Sequence, residues 1–460
     1  MKNKHILYII IFGVVVNAVF FIVFGSRGGW NQNYFIGEGD TAEYYILAKN
    51  MLDGNGFSFS ESPPYFPTRF RTPAYPLFIA ATFAVAKNVF AVLIFQNVLT
   101  ILSAIVLYLI ARSLFGREKL AFGLSVIFLL DPLILRHQNS LMSETVFILF
   151  LLLGFYLIIK FLQSLKLTAA IFLGFFIGLA ALTKPIAQFL PVVLAVVLIF
   201  WGVKRKIFKK IVFLLIIFFA VFSLTVAPWL IRNKIVFGDA RVSSVDFYNL
   251  YYVNAATVLA IREGKSWKNV QGELLSGAQK SPYSRNIDYY FATAVSPDLG
   301  AKAIEIFLKH PRALFRMYAM GAARHLFDDG GQELGYALSK GASGGLGLSV
   351  MLARGNIFGV LGDVFSRQAS IVIPFIFGKI LWVPLWLSIF YGVWNLRKES
   401  DFKLQFILCL AIILIAYFAL LSVPGSESRL RMPSIPLLLV LAGYGASKLY
   451  EKKSAPNLSA

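Results

Sequence analysis

Cysteine is almost missing from this chain: Cys409 is the single one in 460 residues. It lies inside an apolar run, which argues against disulfides, cysteine-ligated metals and an exposed thiol nucleophile. Histidine is scarce as well, with four. Charged residues make up only 15% of the chain, where soluble domains carry about a quarter. No Walker loop, GxSxG elbow or HExxH pair occurs, so the common signatures for nucleotide hydrolysis, serine acyl transfer and zinc peptidase chemistry are absent. The glycine-rich stretch "GASGGLG" (Gly341–Gly347) neither follows a strand nor opens a helix, and it reads as a connector.

What is abundant is apolar surface. Hydrophobic residues make up 58% of the chain, with 44 Phe and 20 Tyr, and the mean hydropathy is +0.71. This is the composition of an integral membrane protein. The first apolar run, "HILYIIIFGVVVNAVFFIVFG", is too long for a signal-peptide core and has no small-residue cleavage site after it, so it reads as a retained anchor. Runs near the ~20-residue length a bilayer needs predict about ten spans, near 6–24, 89–111, 120–136, 144–162, 167–184, 186–203, 211–230, 371–395, 403–423 and 433–449.

The net charge of +21 raises the question of nucleic acid, and its distribution answers it. With the amino terminus in the cytosol, the inner segments 1–5, 112–119, 160–166, 203–210, 396–403 and 448–460 hold 18 Lys and Arg. The short outer loops hold only Arg136, Lys184, Arg429 and Arg431. That asymmetry is the positive-inside signal, so the basic excess reports topology and the partner is a bilayer, with no nucleic acid. The expected location is a bacterial-type inner membrane, with the chemistry facing the periplasm.

Two stretches are too polar to span. The expected organisation is therefore a transmembrane module at 1–230 with a first outer loop at 25–88, a large outer loop region at 231–370, and carboxyl-terminal helices at 371–460. The first loop ends in "RTPAYPLFIAATFAVA", long enough for a short helix lying at the interface or dipping into it, and the second carries apolar residues at helical spacing in "AKAIEIFLKHPRALFRMYAMGAARHLF", broken by Pro311. These predict amphipathic helices at the membrane surface.

Ionisable residues gather where outer loops meet helix ends. In "GEGDTAEYY" (Gly37–Tyr45), residues Thr41–Leu52 read as a helix with Tyr45, Ala48 and Leu52 on one stripe and Asp40 as its N-cap. A capping carboxylate accepts backbone N–H bonds and meets the positive end of the dipole. The same geometry holds it ionised, as a general base must be. Glu38 and Glu43 read as a solvated loop or as support for it. In "DPLILRHQNSLMSETVF", Asp131 ends one span and Glu144 opens the next, with Arg136 and His137 between. Asp40, Glu144 and His137 are thus expected to share one vestibule as an acid–base set, although a lone histidine is more often structural.

Two distant segments, "RFRTPAYP" (Arg69–Pro76) and "RLRMPSIP" (Arg429–Pro436), share the pattern Arg-x-Arg-x-Pro-x-x-Pro where an outer loop enters a helix. Paired guanidinium groups beside a helix start suit a phosphate or carboxylate, or else lipid headgroups. Lys184 and Arg232 are further cations at outer helix ends, and Lys379 lies deeper or snorkels outward. Arg69, Arg71, Lys184, Arg232, Arg429 and Arg431 are expected as anion ligands. Glu43, Tyr44, Tyr75 and His137 are expected as further substrate contacts.

In order along the chain, "GD…YY..A.N.L.G.GF", "R.PAYPLFIA", "DP…SE", "L.KP", "PW..RN…FG" and "R.R.P..P" resemble the membrane glycosyltransferases of the GT-C fold. The nearest are the protein mannosyltransferase-like and aminoarabinose-transferase-like enzymes. The resemblance implies an all-α polytopic protein that moves a sugar, with inversion, from a polyprenyl-phosphate donor to an acceptor hydroxyl on a lipid, glycan or protein. It places the catalytic carboxylate on Asp40, a second acidic position on Glu144, and the donor-phosphate cations on Arg69, Arg71, Lys184, Arg429 and Arg431. Protein mannosyltransferases carry adjacent Asp-Glu at the catalytic position, whereas Thr41 follows Asp40 here, so the aminoarabinose-transferase-like pattern is nearer. No cofactor is expected, although Asp40, Glu43 and Glu144 leave a divalent cation open. The alternatives are a transporter or flippase for an anionic or lipid-linked substrate, and a polysaccharide polymerase. Nothing in the sequence sets an oligomeric state.

Overall fold

A computed structural model describes residues 4–279, 297–339, 369–422 and 428–454, so the glycine-rich connector lies outside the described residues. Those residues form helices: α1 (Lys4–Arg27), α2 (Gln32–Ile36), α3 (Asp40–Leu52), α4 (Ala74–Ala86), α5 (Val89–Phe115), α6 (Glu118–Leu130), α7 (Pro132–His137), α8 (Glu144–Ser164), α9 (Leu167–Thr183), α10 (Leu190–Lys204) and α11 (Phe208–Phe237). The large loop region adds α12 (Val245–Tyr248), a π-helical turn at Asn249–Ala255, α13 (Ala256–Glu263), α14 (Trp267–Gln279), α15 (Pro297–Lys309), α16 (Pro311–Phe327) and α17 (Gly331–Leu338). The chain then runs through α18 (Ala369–Leu396), α19 (Phe402–Ser422), a 3₁₀ segment (Ser428–Ser434) and α20 (Ile435–Ser454). The protein is all-α and polytopic, as expected.

Eight helices are long and apolar enough to cross a membrane, against about ten expected spans. The difference falls at two places. The expected span 120–136 is broken at Asp131, where the chain leaves α6 after 13 residues and restarts at Pro132. Asp131 Oδ1 accepts the backbone N–H groups of Leu133 and Ile134 at 2.9 and 3.2 Å, so it caps α7. At the helical rise, α6 covers only about 20 Å against a hydrocarbon core of about 30 Å. The other place is α9, with 17 residues.

Helix contacts follow the small residues. Gly174 and Gly178 stand four apart on α9, and a Cβ on either would lie 2.5 Å from Phe218 O or 2.7 Å from Thr225 Cβ. That GxxxG face lets α9 lie directly against α11. Gly331 and Gly335 do the same for α17, where added Cβ atoms would meet Pro374 O at 2.4 Å and Ile371 Cα at 2.8 Å. Residue 333 lies on the far side of that helical turn, so this contact turns Glu333 away from α18. At one end of the bundle a buried cluster of Tyr44, Tyr75, Leu135, Val146 and Leu334 joins α3, α4, α7, α8 and α17. The expected break at Pro311 separates α15 from α16.

Candidate active site

The site is built on the loop before α3. Gly37 and Gly39 adopt φ of 58° and 64°, a region that glycine enters without steric cost. Their turn delivers Asp40 as the first residue of α3. Here the structure departs from the expectation: Gly39 is the N-cap and no side chain caps the helix. The Asp40 carboxylate instead faces outward to two arginines. Its Oδ1 accepts from Arg71 Nη2 and its Oδ2 lies 2.7 Å from Arg429 Nη2. Arg71 also donates from Nε to Glu43 Oε2 at 2.6 Å, one turn further along α3. The buried stripe of α3 is Tyr44, Leu47 and Ala48, and Leu52 is exposed.

Burial alone would raise the Asp40 carboxyl, but the charges of Arg71 and Arg429 overcome it and hold the group well below the usual carboxylate range. Burial would likewise lower Arg71. The charges of Asp40 and Glu43 outweigh it, so Arg71 stays cationic. The Arg71 guanidinium lies over the rings of Tyr44 and Phe70, 5.3 and 5.1 Å from their centroids. Tyr44 also donates to Ser143 Oγ at 3.3 Å, linking α3 to the residue before Glu144.

A second acid–base pair sits beside the first. Lys184 Nζ, between α9 and the turn into α10, lies 2.6 Å from Glu144 Oε1, whose side chain is 1% exposed. Glu144 Oε2 has no hydrogen-bond partner among the described residues. Arg429 acts electrostatically on both Glu144 and Glu333, so the two pairs form one field. His137, at the end of α7, lies 2.7 Å from Glu333 Oε1 on α17. Burial would raise Glu333, but His137, with Arg136 and Arg429, holds it down.

The fold therefore brings together Asp40, Glu43, Tyr44, Arg71, His137, Glu144, Lys184 and Arg429. Four other residues expected as substrate ligands spend their polar groups on other partners, although the Tyr75 ring packs on that of Tyr44 with centroids 4.8 Å apart. Arg69 pairs with Asp239 and stacks on Phe237. Arg232 donates to Thr68 O at 2.7 Å and lies 4.8 Å from the Trp229 ring centroid. Tyr75 is fully buried and donates to Gln96 Oε1. Arg431 is 1% exposed, donates to Asp328 O and stacks 3.7 Å from the Trp382 ring centroid. Trp382 Nε1 in turn donates to Asp131 Oδ2 at 2.9 Å. Lys379, left open between a deep and a surface position, pairs with Asp329.

Glu333 is the site residue that sequence reading missed. The signal present was the acid-rich "DDGGQE" between two amphipathic segments, in a loop otherwise poor in markers. Among the described residues no group of three or more His, Cys, Asp and Glu is placed to hold a metal ion.

With this geometry in view, residues 70–231 match the family described as dolichyl-phosphate-mannose-protein mannosyltransferase. No curated protein matches. Among solved structures, archaeal oligosaccharyltransferase AglB from Archaeoglobus fulgidus, in complex with an inhibitory peptide and a dolichol-phosphate, superposes with a TM-score of 0.50 at 14% identity, over 96% of this chain and 50% of that one. The Archaeoglobus fulgidus oligosaccharyltransferase tethered with an acceptor peptide containing the NVT sequon gives 0.51 at 13% identity, over 96% and 50%. ArnT from Cupriavidus metallidurans in the apo state gives 0.36 at 14% identity, over 94% and 77%. This chain spans about half the length of the two oligosaccharyltransferase chains.

The fold is similar to that of these oligosaccharyltransferases, and the family match over residues 70–231 agrees with the resemblance read from the motifs. The mannosyltransferase-family segment carries Arg71, Glu144 and Lys184, while Asp40 and Arg429 lie outside it.

Proposed function

We propose that this protein is an inverting glycosyltransferase that moves a sugar from a polyprenyl-phosphate donor to an acceptor hydroxyl. The observation that carries the reading is the Asp40 carboxylate held between Arg71 and Arg429, beside the Glu144–Lys184 pair. Such a site offers a base that stays ionised and cations for a leaving phosphate.

In this reading the acceptor oxygen attacks the anomeric carbon and its proton passes to Asp40. The bond from the anomeric carbon to the phosphate oxygen breaks, and its electron pair leaves with polyprenyl phosphate. Charge grows on that phosphate in the transition state, where Arg429 and Lys184 stabilise it most. Arg71, tied to both Asp40 and Glu43, orients the base. Glu144 keeps Lys184 in place.

Lipid, glycan and protein acceptors all fit this chemistry, and the site is proposed to face the periplasmic side of a bacterial-type inner membrane. Purified protein supplied with a radiolabelled polyprenyl-phosphate sugar and a mixed acceptor pool tests the reading. Release of polyprenyl phosphate with label on an acceptor supports it. Exchange or uptake of the labelled lipid without transfer points to a transporter and sinks it. Release of a diphosphate from a lipid-linked oligosaccharide, with none from the monophosphate donor, points to a polymerase.

A further inference from the structure

The end of the bundle opposite the candidate site carries a concentration of cations that the reaction does not use. Glu144 opens α8 and Lys160 stands near its close. Lys184 precedes α10, and Lys204 and Arg205 end it. α19 begins at Phe402 and runs toward the segment bearing Arg429. Lys160, Lys166, Lys204, Arg205, Lys206, Lys209, Lys210 and Lys403 therefore cluster away from Asp40.

Charges at this end are unevenly neutralised. Around α5, α6 and α20, Glu118 lies 3.3 Å from Arg112, Glu451 lies 3.5 Å from Arg117, and Glu399 lies 3.0 Å from Lys448. None of the eight cations named above forms an ion pair among the described residues. Asp401, at the start of α19, spends Oδ1 on the backbone N–H groups of Lys403 and Leu404, at 2.8 and 3.3 Å.

Packing brings two of these cations together, with a third in electrostatic reach. Trp201 on α10 stacks on Phe402 of α19, with centroids 5.3 Å apart and planes 12° from parallel, and meets Phe406 at 4.7 Å. Arg205 lies over both Trp201 and Phe402, 4.9 and 5.2 Å from their centroids. This holds the guanidinium beside Lys403, which is within electrostatic reach of Asp401, of Arg205 and of Lys160 from α8. Positive-inside topology requires cations on one side of the membrane. It does not require three helices to converge their cations against mutual repulsion, and an anion seated among them would offset that cost.

We propose that Lys160, Arg205 and Lys403, flanked by the Lys204–Lys210 turn, bind the phosphate of an anionic phospholipid. A face-stacked guanidinium keeps its N–H edge available for phosphate oxygens, and basic pockets between membrane helices suit such headgroups. The exposed side chains of Phe200, Val203 and Phe208 lie on the same helix ends, where acyl chains would rest, which selects a lipid over a free anion. Zwitterionic headgroups carry an ammonium that the cluster repels.

The test uses the full-length protein in vesicles of phosphatidylcholine alone, and with one part in five phosphatidylglycerol. Thermal unfolding and native mass spectrometry of retained lipid are the readouts. Phosphatidylglycerol is expected to raise the unfolding midpoint and to be retained selectively. The triple variant Lys160→Gln, Arg205→Gln, Lys403→Gln should lose both effects, with retention falling by at least about tenfold. If the triple variant does not fold, Lys160→Gln and Lys403→Gln singly should each weaken retention by roughly fivefold. Lys448→Gln, in the neutralised sector, should keep the wild-type response. Equal retention of both lipids, an undiminished response in these variants, or full stabilisation by inorganic phosphate would each overturn the proposal.

Discussion

Asp40 and Arg429, drawn from opposite ends of the chain, meet at 2.7 Å, and Arg71 closes the other side of the same carboxylate. Both oxygens of Asp40 are thereby occupied in this state. In the proposed reaction one arginine must give way before Asp40 can take up a proton. Arg71 is also bound to Glu43 and stacked between two rings, and Arg429 also reaches Met142 Sδ at 3.3 Å. Asp40→Asn is expected to cut sugar transfer by about 10²–10⁴-fold while the protein still folds, read by transfer assay alongside thermal unfolding. Transfer near the wild-type rate would remove Asp40 as the base.

The two arginines of "RLR" should separate in experiment. Arg429→Ala is expected to raise the donor KM and lower kcat with little loss of stability. Arg431→Ala removes a buried guanidinium stacked on Trp382 and is expected to lower the unfolding midpoint, with donor KM unchanged in whatever protein remains folded. Matched effects of the two substitutions on donor KM would contradict the different positions of these side chains.

Lys184 and Glu144 form a buried pair, so breaking it from one side leaves a charge without its partner. Lys184→Ala is expected to destabilise by about 3–5 kcal/mol. The double variant Lys184→Met, Glu144→Gln should recover much of that loss while remaining inactive. Chemical denaturation of the single and double variants gives the coupling, and additive losses would rule out a shared pair.

His325 on α16 hydrogen-bonds with Ser434 Oγ at 2.9 Å. Burial, with Arg431 nearby, pushes its imidazole down to about 4, against about 6.5 when unfolded. A histidine kept neutral by the fold takes up its proton more readily when unfolded. Its contribution is therefore fully present above about pH 6.5 and is lost as pH falls toward 4. The unfolding midpoint should drop through that window in the wild type and drop less in His325→Gln. Parallel curves would assign the acid sensitivity to other groups.

Much of the architecture was legible in the chain. Long apolar runs cannot be satisfied in water, so span positions, the two polar loops and the charge asymmetry follow from composition and spacing. Asp131 was read as the end of a span, yet the apolar run that continues through it carried the expected span on to residue 136. The N-cap assigned to Asp40 failed for a related reason. Glycine at position 39 takes over the turn, and two arginines offer the carboxylate stronger partners than backbone N–H groups.

The repeated Arg-x-Arg-x-Pro-x-x-Pro pattern marks the boundary between these kinds of information. By itself the sequence determined that this is a helical membrane protein, that acids and cations collect at one set of helix ends, and that Asp40 heads the list of acids. Tertiary structure alone decided which cations serve it. Residues two apart in a short segment point in different directions, so Arg71 and Arg429 turn to Asp40 while Arg69 and Arg431 lock the scaffold. It also decided that Glu333 joins His137, through the close contact of Gly331 and Gly335 with α18. Ion pairs between remote segments depend on how helices pack, and local spacing carries no record of that.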